Sequence, residues 1–575
     1  MNRIAFNKHF ALLVAFLWLT GCATYKSKYI EGQVPEDIIT TKEVSHTFYL
    51  VGDAGLSPMG GMNPALKNFK SRLDKASENS TTLFLGDNIY PAGLPDAKDS
   101  TEAYIVAKNH LDAQLKTLDN YKGKPIFIPG NHDWYTEGLV GLKREQKYIQ
   151  KKLKSKKVFF PEDGCPIKTI EISDKVVLIA LDTEWYLTNW DKRPDMNDKC
   201  EIKDRSKFLE ELEGEIKKNQ TKTTVIALHH PMFTYGTHGG QYKFKQHLYP
   251  KSGIGPLPVI GTFVNVLRRT TGASIEDLQN KRYTELKNKI VTLAQYSNKV
   301  IFASGHEHTL QYIVENNTPQ IVSGSGAKKG ATRLLNGSKF STGHMGYATL
   351  EVYKDGSSRV RFFGVDEQDD EEFLYTTEVL PADRGINEDK YESDFPAFET
   401  ASIFTQEETD KSGFFKTLWG ERYRKYYATP VKAPTVNLDT LFGGLVPVRK
   451  GGGHQSKSLR LRRKDGREYV MRALRKVSEL YLQAMVFQEQ YVMDDLEDSF
   501  LQEFLLDFYT GAHPYAPFVV GELSNAIDIY HTNPVLYYVP KQSSLEDFNI
   551  DFGNELYMIE EHTGDGHGDQ ASFGF

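Results

Sequence analysis

Residues Thr82–Tyr90 read TLFLGDNIY, a short apolar run that stops abruptly at a Gly-Asp pair. A run of this kind, bounded by small polar residues, is typical of a buried β-strand, with the acidic residue placed where the strand ends. Similar runs predict further buried strands at Thr47–Val51, Ile126–Ile128, Val176–Leu181, Thr224–Leu228, Val300–Ala303 and Ile321–Val322. Helical patterns such as Ala103–Leu118 and Ser206–Lys218 lie between them, so we expect an α/β layered domain.

The length and composition indicate a folded chain of several domains. Its 575 residues are 39% hydrophobic and 25% charged, which excludes a wholly disordered or fibrous protein. The formal net charge of -6 provides no bulk basic field, so we expect no nucleic-acid partner. We predict an α/β domain over 46–365, an acidic linker over 366–412, a smaller α+β domain of unassigned role over 413–562 and a disordered tail over 563–575.

The N-terminus has the features of an export signal. Arg3 and Lys8 precede the apolar run Phe10–Leu19, which is too short to span a bilayer as a helix. The run ends at Leu19-Thr20-Gly21-Cys22, which resembles a bacterial lipobox and implies cleavage after residue 21 and acylation of Cys22. We therefore expect a signal peptide over 1–21, a tether over 22–45 and a lipid anchor in the bacterial cell envelope, at the periplasmic or surface face of the outer membrane. An ordinary signal peptide with an incidental cysteine is the alternative.

Two further cysteines, Cys165 and Cys200, are present. In an exported protein an even pair favours a disulfide over two free thiols, although the sequence leaves both open.

Potential metal ligands follow five of the predicted strands. The segments are Gly52-Asp53, Gly86-Asp87, Gly130-Asn131-His132-Asp133, His229-His230-Pro231 and Gly305-His306-Glu307-His308. Sites in open α/β sheets form just beyond the carboxyl ends of strands, so we expect these loops to converge. Each segment alone is ordinary turn composition, but five in this order predict a metal centre.

From Thr47 to Gly326 these motifs resemble the calcineurin-like metallophosphoesterases, and among them the purple acid phosphatases of the tartrate-resistant type. Most of the superfamily has a histidine where this chain has Gly55, and this chain carries Tyr90 three residues after Asp87. Exchanging an imidazole for a phenolate suits Fe(III). The resemblance implies a four-layer α/β/β/α sandwich and the hydrolysis of phosphate monoesters by a hydroxide that two metal ions generate.

The resemblance also implies roles for individual residues. Asp53, Tyr90 and His308 would hold Fe(III), Asp87 would bridge, and Asn131, His229 and His306 would hold a divalent ion, Fe, Zn or Mn. His132 would contact the phosphoryl group. His238, nine residues after His229, would protonate the leaving group; an exposed loop histidine is the alternative.

Two questions stay open at this point. The insertion from Gln241 to Asn280 contains the apolar run Ile254–Leu267, which we expect to be buried against the domain, with a lid or membrane-facing lip as the alternative. We expect the protein to be a lipid-anchored phosphomonoesterase. The alternatives are a phosphodiesterase acting on nucleotides or phospholipid headgroups, and an envelope assembly protein whose C-terminal domain binds a protein partner.

Overall fold

The computed structural model describes residues 22–30, 32, 36–37, 40–98, 101–190, 193, 196–249, 255–335, 337–383, 391, 394–451, 455–487, 492, 496 and 499–562. The predicted signal peptide and C-terminal tail lie outside these residues. The chain divides into two compact units, Met1–Asp383 and Arg384–Phe575.

One sheet of the first unit combines parallel and antiparallel strands. Its order is β14 (Glu371–Leu380), β13 (Ser358–Val365), β12 (Gly346–Tyr353), β2 (Val44–Val51), β3 (Ser80–Leu85) and β4 (Lys124–Ile128). Strands β2, β3 and β4 are parallel, with Leu50 opposite Leu83 and Leu83 opposite Ile126. Their carboxyl ends therefore lie at one edge.

The second sheet of this unit also has a parallel centre. Its order is β1 (Lys28–Tyr29), β11 (Ser338–Thr342), β9 (Leu310–Glu315), β10 (Thr318–Ser323), β8 (Val300–Ser304), β7 (Thr223–Leu228), β6 (Val176–Leu181) and β5 (Ile167–Ser173). Strands β6, β7, β8 and β10 run parallel. They are buried along their whole length, as the continuous apolar runs in the sequence predict.

Most helices of the first unit pack on the outer faces of the two sheets. The helices of this unit are α1 (Pro64–Leu73), α2 (Thr101–Leu115), α3 (Asn131–Tyr135), α4 (Leu139–Leu153), α5 (Thr183–Leu187), α6 (Arg205–Lys218), α7 (Phe244–Leu248), α8 (Pro258–Thr271) and α9 (Lys281–Ala294), with 3-10 turns at Lys116–Leu118 and Glu162–Gly164. The inner faces of the sheets share one core, which includes Leu50, Leu83, Leu178, Ala227 and Ile301. The outward residues of the same strands pack with the helices. The predicted four-layer α/β/β/α sandwich is confirmed.

Two predicted boundaries differ from the structure. Residues 371–380, placed in the acidic linker, form β14, which pairs with β13. Glu371 and Glu372 at its start are exposed, whereas Leu374 and Tyr375 are buried, and the strand lies at the edge of the sheet. The predicted tether is also partly ordered, since Lys28 pairs with Ser341 and the amide of Thr24 donates to the carbonyl of Thr332.

The insertion between His238 and α9 forms α7 and α8. Ile254 lies outside the described residues, but Ile260, Phe263 and Leu267 of α8 are exposed. The predicted burial of this apolar run is therefore wrong. Among the described residues, no helix has both the length and the apolar character needed to cross a membrane.

The second unit is rich in β-structure and includes several helices. A two-stranded sheet pairs β15 (Phe398–Ala401) with β16 (Val431–Pro434), and a larger one has the order β17 (Leu445–Lys450), β18 (Ser456–Arg463), β19 (Glu468–Lys476), β21 (Glu555–Glu561) and β20 (Val535–Val539). The helices are α10 (Gln406–Thr409), α11 (Gly413–Trp419), α12 (Arg424–Ala428), α13 (Ser478–Tyr481), a π-helix (Leu482–Val486), α14 (Phe500–Tyr509) and α15 (Ala516–Ala526), with 3-10 turns at Leu441–Gly443 and Ser543–Ile550. Its core includes Leu459, Met471, Val539 and Tyr557.

Candidate metal centre

Five loops meet where parallel strands of both sheets end. Asp53 follows β2, Asp87 follows β3, Asn131 begins α3 after β4, His229 follows β7 and His306 follows β8. All five side chains are buried. The convergence predicted from the sequence is present.

The first cluster consists of Asp53, Tyr90 and His308. The Tyr90 hydroxyl donates to Asp53 Oδ1 at 2.7 Å and lies 3.1 Å from His308 Nε2. His308 Nε2 is 3.4 Å from the same carboxylate oxygen. Asp53 Oδ1, the Tyr90 hydroxyl oxygen and His308 Nε2 therefore face a common point.

The second cluster joins Asp87, Asn131 and His229. His229 Nδ1 lies 2.8 Å from the carbonyl oxygen of Leu85, to which it donates, so Nε2 carries the lone pair. That Nε2 lies 3.3 Å from Asp87 Oδ1 and 3.0 Å from Asn131 Oδ1. The free nitrogen thus faces two oxygens.

Neighbouring residues orient the remaining donors. Asn131 Nδ2 donates to the Tyr135 hydroxyl at 2.6 Å, which turns Oδ1 toward His229, and Tyr135 itself donates to Glu276. His306 Nε2 lies 2.8 Å from the backbone carbonyl oxygen of Glu276, to which it donates, leaving Nδ1 as its unprotonated nitrogen. This orientation of a histidine by a hydrogen bond at its second nitrogen is typical of metal ligands.

The backbone at the centre adopts an unfavourable conformation. Asp53, Asp87 and His306 have positive φ values of 54°, 54° and 68°. Left-handed backbone is uncommon outside glycine and concentrates at functional sites, where the surrounding structure holds it. All three of these residues belong to the candidate centre.

The electrostatics favour a cation between the carboxylates. Burial and the charges of Asp53 and Asp87 raise the pKa of Tyr90 well above its usual range. Burial opposes ionisation of Asp53, but its contacts with His308 and His229 outweigh that effect and hold its pKa below the usual value. Asp53, Asp87 and His229 each offer one ligand atom, and these atoms lie within 4.8 Å of one another. The donor set therefore fits metal ions.

Lys328 lies beside the first cluster, and the sequence analysis did not single it out. Its Nζ lies 2.9 Å from the centroid of the Tyr90 ring. Burial lowers the pKa of Lys328, while the charges of Asp53 and Asp87 oppose that shift. The lysine follows β10, so its position beyond a buried strand is the signal that could have identified it.

Of the two predicted catalytic histidines, His132 lies at the start of α3. Its backbone amide donates to Asp87 Oδ1 at 3.0 Å, and its ring packs against Tyr90 with centroids 4.6 Å apart. It is partly exposed, so its side chain can reach a ligand above the centre.

The His238 ring packs against that of His306 with an interplanar angle of 37° and ring centroids 4.2 Å apart. Its Nδ1 donates to Asp277 Oδ1 at 3.0 Å, and Arg268 binds both oxygens of that carboxylate at 2.5 and 2.7 Å. The backbone amide of His238 donates to Glu307 at 2.9 Å. Burial would lower the pKa of His238, but the hydrogen bond to Asp277 and the charge of Glu307 raise it.

A buried carboxyl pair ties the loops together. Asp133 accepts hydrogen bonds from the amides of Gly130, Asn88 and Ile89 at 2.8, 3.3 and 3.1 Å. Burial raises the pKa of Asp133 well above its usual range and that of its neighbour Glu145 to about 8. Asp133 thereby links the turn after β3 to the turn after β4.

The other predicted modification sites lie on the same unit. Cys165 and Cys200 form a disulfide in the structure. Cys22 is the first described residue of the chain, and the amide of Ala23 donates to the carbonyl of Tyr242 at 3.0 Å.

Residues 46–310 match the family model described as calcineurin-like phosphoesterase. This part of the chain is a calcineurin-like phosphoesterase domain. A comparison with curated proteins finds no significant match.

Several solved structures resemble the phosphoesterase domain at low identity. GAP50, the anchor in the inner membrane complex of Plasmodium, is 14% identical over 60% of this chain and 91% of its own, with a TM-score of 0.35. Purple acid phosphatase PPD1 from yellow lupin (Lupinus luteus) seeds is 13% identical over 58% of this chain and 53% of its own, with a TM-score of 0.36. PhoD is 10% identical over 60% and 72%, with a TM-score of 0.38. These similarities are too weak to bear on function.

Sequence motifs did not reveal several residues that complete the site of the phosphoesterase domain. They are Tyr135, Glu145, Arg268, Glu276, Asp277 and Lys328. Three of them, Arg268, Glu276 and Asp277, come from the insertion, which has no motif to connect it with the strand ends.

Proposed function

We propose that the chain is a dinuclear-metal phosphomonoesterase anchored by lipid in the bacterial cell envelope, with phosphate esters as substrates. The observation that carries the proposal is the pair of clusters at the strand ends, one with Asp53, Tyr90 and His308 and the other with Asp87, Asn131 and His229. Each cluster directs several donor atoms to one point, and the ring of His306 lies 5.1 Å from that of His229, centroid to centroid.

The donor chemistry supports Fe(III) at the first cluster and a divalent ion, Fe, Zn or Mn, at the second. Tyr90 is surrounded by anions, and only a strongly charged cation would displace its proton. Asn131, His229 and His306 are neutral donors, which suit a lower charge. Asp87 lies between the two groups and would bridge them. When bound, such a pair supplies a water-derived nucleophile and stabilises negative charge on the phosphoryl group.

The side chains around the centre would bind and protonate the ester. His132 and Lys328 place donors near the two clusters, where a phosphoryl group would need neutralisation. His238 would act as the general acid. Asp277 fixes its Nδ1 as the hydrogen-bonded nitrogen, so Nε2 is the atom that would donate the proton to the leaving alkoxide.

Paired chromogenic assays test the reaction class. We expect the purified protein, loaded with iron and zinc or manganese, to hydrolyse p-nitrophenyl phosphate with a higher kcat/KM than bis-p-nitrophenyl phosphate. Asp87→Ala should remove activity and metal, whereas Asp355→Ala, at an exposed ion pair with Lys42, should change neither. A preference for the diester would favour the phosphodiesterase alternative.

The anchor rests on the sequence Leu19-Thr20-Gly21-Cys22. We expect mass spectrometry of the mature N-terminus to find an acylated Cys22, and Cys22→Ser to abolish that modification. An unacylated wild-type N-terminus would contradict the anchor while leaving the phosphatase proposal intact.

The C-terminal unit supports a second role as a binding module for an envelope protein. Val519, Val520 and Leu523 of α15 are exposed apolar residues on a helix of that unit. A pull-down from envelope extract should recover a protein with the wild-type chain and lose it with Val520→Asp. The same protein recovered with both chains would contradict this role.

A further inference from the structure

The insertion helix α8 has its apolar side turned away from the protein. Ile260, Phe263, Val264 and Leu267 have the i, i+3, i+4, i+7 spacing of one helix face, and 52%, 60%, 40% and 41% of their surface is exposed. A surface helix normally buries such a stripe against the core. Here the stripe faces outward, which marks this side of α8 as a contact surface for an apolar partner.

The opposite side of α8 is the one that packs on the domain. Gly261 and Asn265 are buried, and a Cβ at Gly261 would lie 2.3 Å from the carbonyl oxygen of His247 in α7. Arg268, one turn further, binds Asp277. These small and polar residues pack α8 against the domain. The apolar stripe is therefore exposed although the helix is packed on its other side.

The insertion Gln241–Asn280 also carries a net positive charge. Its five cations, Lys243, Lys245, Lys251, Arg268 and Arg269, outnumber its two acidic residues, Glu276 and Asp277. An amphipathic helix with apolar residues on one side and cations beside them is the composition that binds anionic lipid surfaces.

The N-terminal segment places the candidate acylation site beside the insertion. The amide of Ala23 donates to the carbonyl of Tyr242 at 3.0 Å, and Lys243 Nζ donates to the Tyr25 hydroxyl at 2.6 Å. The Tyr242 ring lies 6.0 Å from the Arg268 guanidinium of α8. Cys22 therefore precedes a segment that is hydrogen-bonded to the insertion carrying α8.

We propose that α8 lies in the interface of an anionic bilayer, with Ile260, Phe263, Val264 and Leu267 among the acyl chains and the exposed Lys245 and Arg269 at the headgroups. The proposal rests on the lipid anchor proposed above. The bilayer that receives the acyl chains of Cys22 is the apolar partner that would cover the exposed stripe of α8. The apolar area of α8 buried in the bilayer would add to the attachment that the acyl chains provide. It would also set the His238 side of the metal centre toward the membrane surface, because Arg268 connects α8 to Asp277.

Fluorescence quenching by brominated lipids tests this contact in the full mature lipoprotein. A nitrobenzoxadiazole dye is attached to Phe263→Cys or, as a matched control, to Lys151→Cys on α4, and each protein is reconstituted in phosphatidylethanolamine and phosphatidylglycerol vesicles. We expect brominated acyl chains to quench roughly half or more of the fluorescence of the dye at residue 263, because the apolar face of an interfacial helix lies at the depth of the acyl chains. The dye at residue 151 should lose little fluorescence.

Equal quenching at the two positions would overturn the proposal. A dye at residue 263 that is shielded from aqueous iodide but is not quenched by brominated lipid would also overturn it, because a second copy or another protein would then cover α8. Mass spectrometry of Cys22 and hydrolysis of p-nitrophenyl phosphate on the same samples separate these results from a failure of the anchor or of the phosphatase proposal. If Cys22 is not acylated, it takes up dye in both variants, and the difference between them still reports residue 263.

Discussion

The amide of Tyr90 donates a hydrogen bond to the carbonyl of Gly55 at an N···O distance of 3.0 Å. The amide of Gly55 in turn donates to the carbonyl of Asp87 at 3.1 Å. A Cβ at position 55 would lie 2.6 Å from backbone atoms of Asp87, Asn88 and Ile89. The missing side chain at residue 55 and the phenol at residue 90 therefore belong to one structural feature, in which two strand-end turns pack backbone to backbone.

Gly55→Ala should disrupt the first metal cluster. The added methyl group meets backbone rather than flexible side chains, so the turn carrying Tyr90 must move, at a cost of about 1 to 3 kcal/mol. We expect iron content and activity to fall together in metal analysis and p-nitrophenyl phosphate assays. Gly61→Ala is the control, because a Cβ there meets only Pro58, at 3.4 Å. Unchanged iron content in Gly55→Ala would show that the packing is not required.

Asp277→Asn should reproduce, in weaker form, the leaving-group dependence of His238→Ala. If Asp277 orients His238 as the general acid, His238→Ala slows hydrolysis of alkyl phosphates by about 10²-fold or more, and Asp277→Asn slows it by a smaller factor. Both variants slow hydrolysis of p-nitrophenyl phosphate much less, since its phenolate leaves without a proton. Ratios of kcat for the two substrates measure this effect. Arg269→Gln, at the exposed position next to Arg268, should leave the ratio unchanged. Equal losses on both substrates would assign His238 and Asp277 a structural role.

The central part of the site was predictable because its residues directly follow strands that the sequence marks clearly. Asp87, for example, directly follows the apolar run and glycine that begin at Thr82. A buried parallel strand places the residues after its last position at the carboxyl edge of the sheet. Asp277 and Glu276 could not be found this way, since they reach the centre from an insertion whose path depends on tertiary packing. The predicted burial of the apolar side of α8 was wrong for the same reason. An apolar stripe indicates a helix face but not which side faces the protein.

His46 should make the stability of the first unit depend on pH. Burial and the charge of Lys124 lower its pKa from 6.5 to about 4, and its ring bonds Thr81 Oγ1 at 3.0 Å. The unfolded chain binds the proton near pH 6.5 and the folded chain only near pH 4, so stability falls as the pH drops between these values. The loss is on the order of 3 kcal/mol at most.

Urea unfolding at pH 7 and pH 5 in the presence of a chelator measures this dependence. We expect His46→Gln to lose less stability than the wild type over that range, because glutamine does not titrate. Identical losses for the two proteins would mean that His46 is not neutral in the folded state.

The disulfide should account for both remaining cysteines. Titration of the unfolded, unreduced mature protein should find no free thiol from Cys165 or Cys200, and reduction should release two. In the chain-entropy model a bridge across 35 residues contributes about 3 to 4 kcal/mol, so a Cys165→Ser Cys200→Ser variant should unfold at lower urea concentration. Two free thiols without reduction would refute the pairing.

The visible spectrum of the iron-loaded protein tests the metal assignment most directly. Tyr90 lies 2.7 Å from Asp53 Oδ1 and 3.1 Å from His308 Nε2, so its oxygen is positioned to share an ion with both. We predict a tyrosinate-to-iron charge-transfer band in the wild type, and its loss in Tyr90→Phe, which retains the other six proposed ligands. The account would be contradicted if the wild-type protein, iron-replete and fully active, had no visible band that Tyr90→Phe removes. Tyr90 would then be a packing residue over two divalent ions.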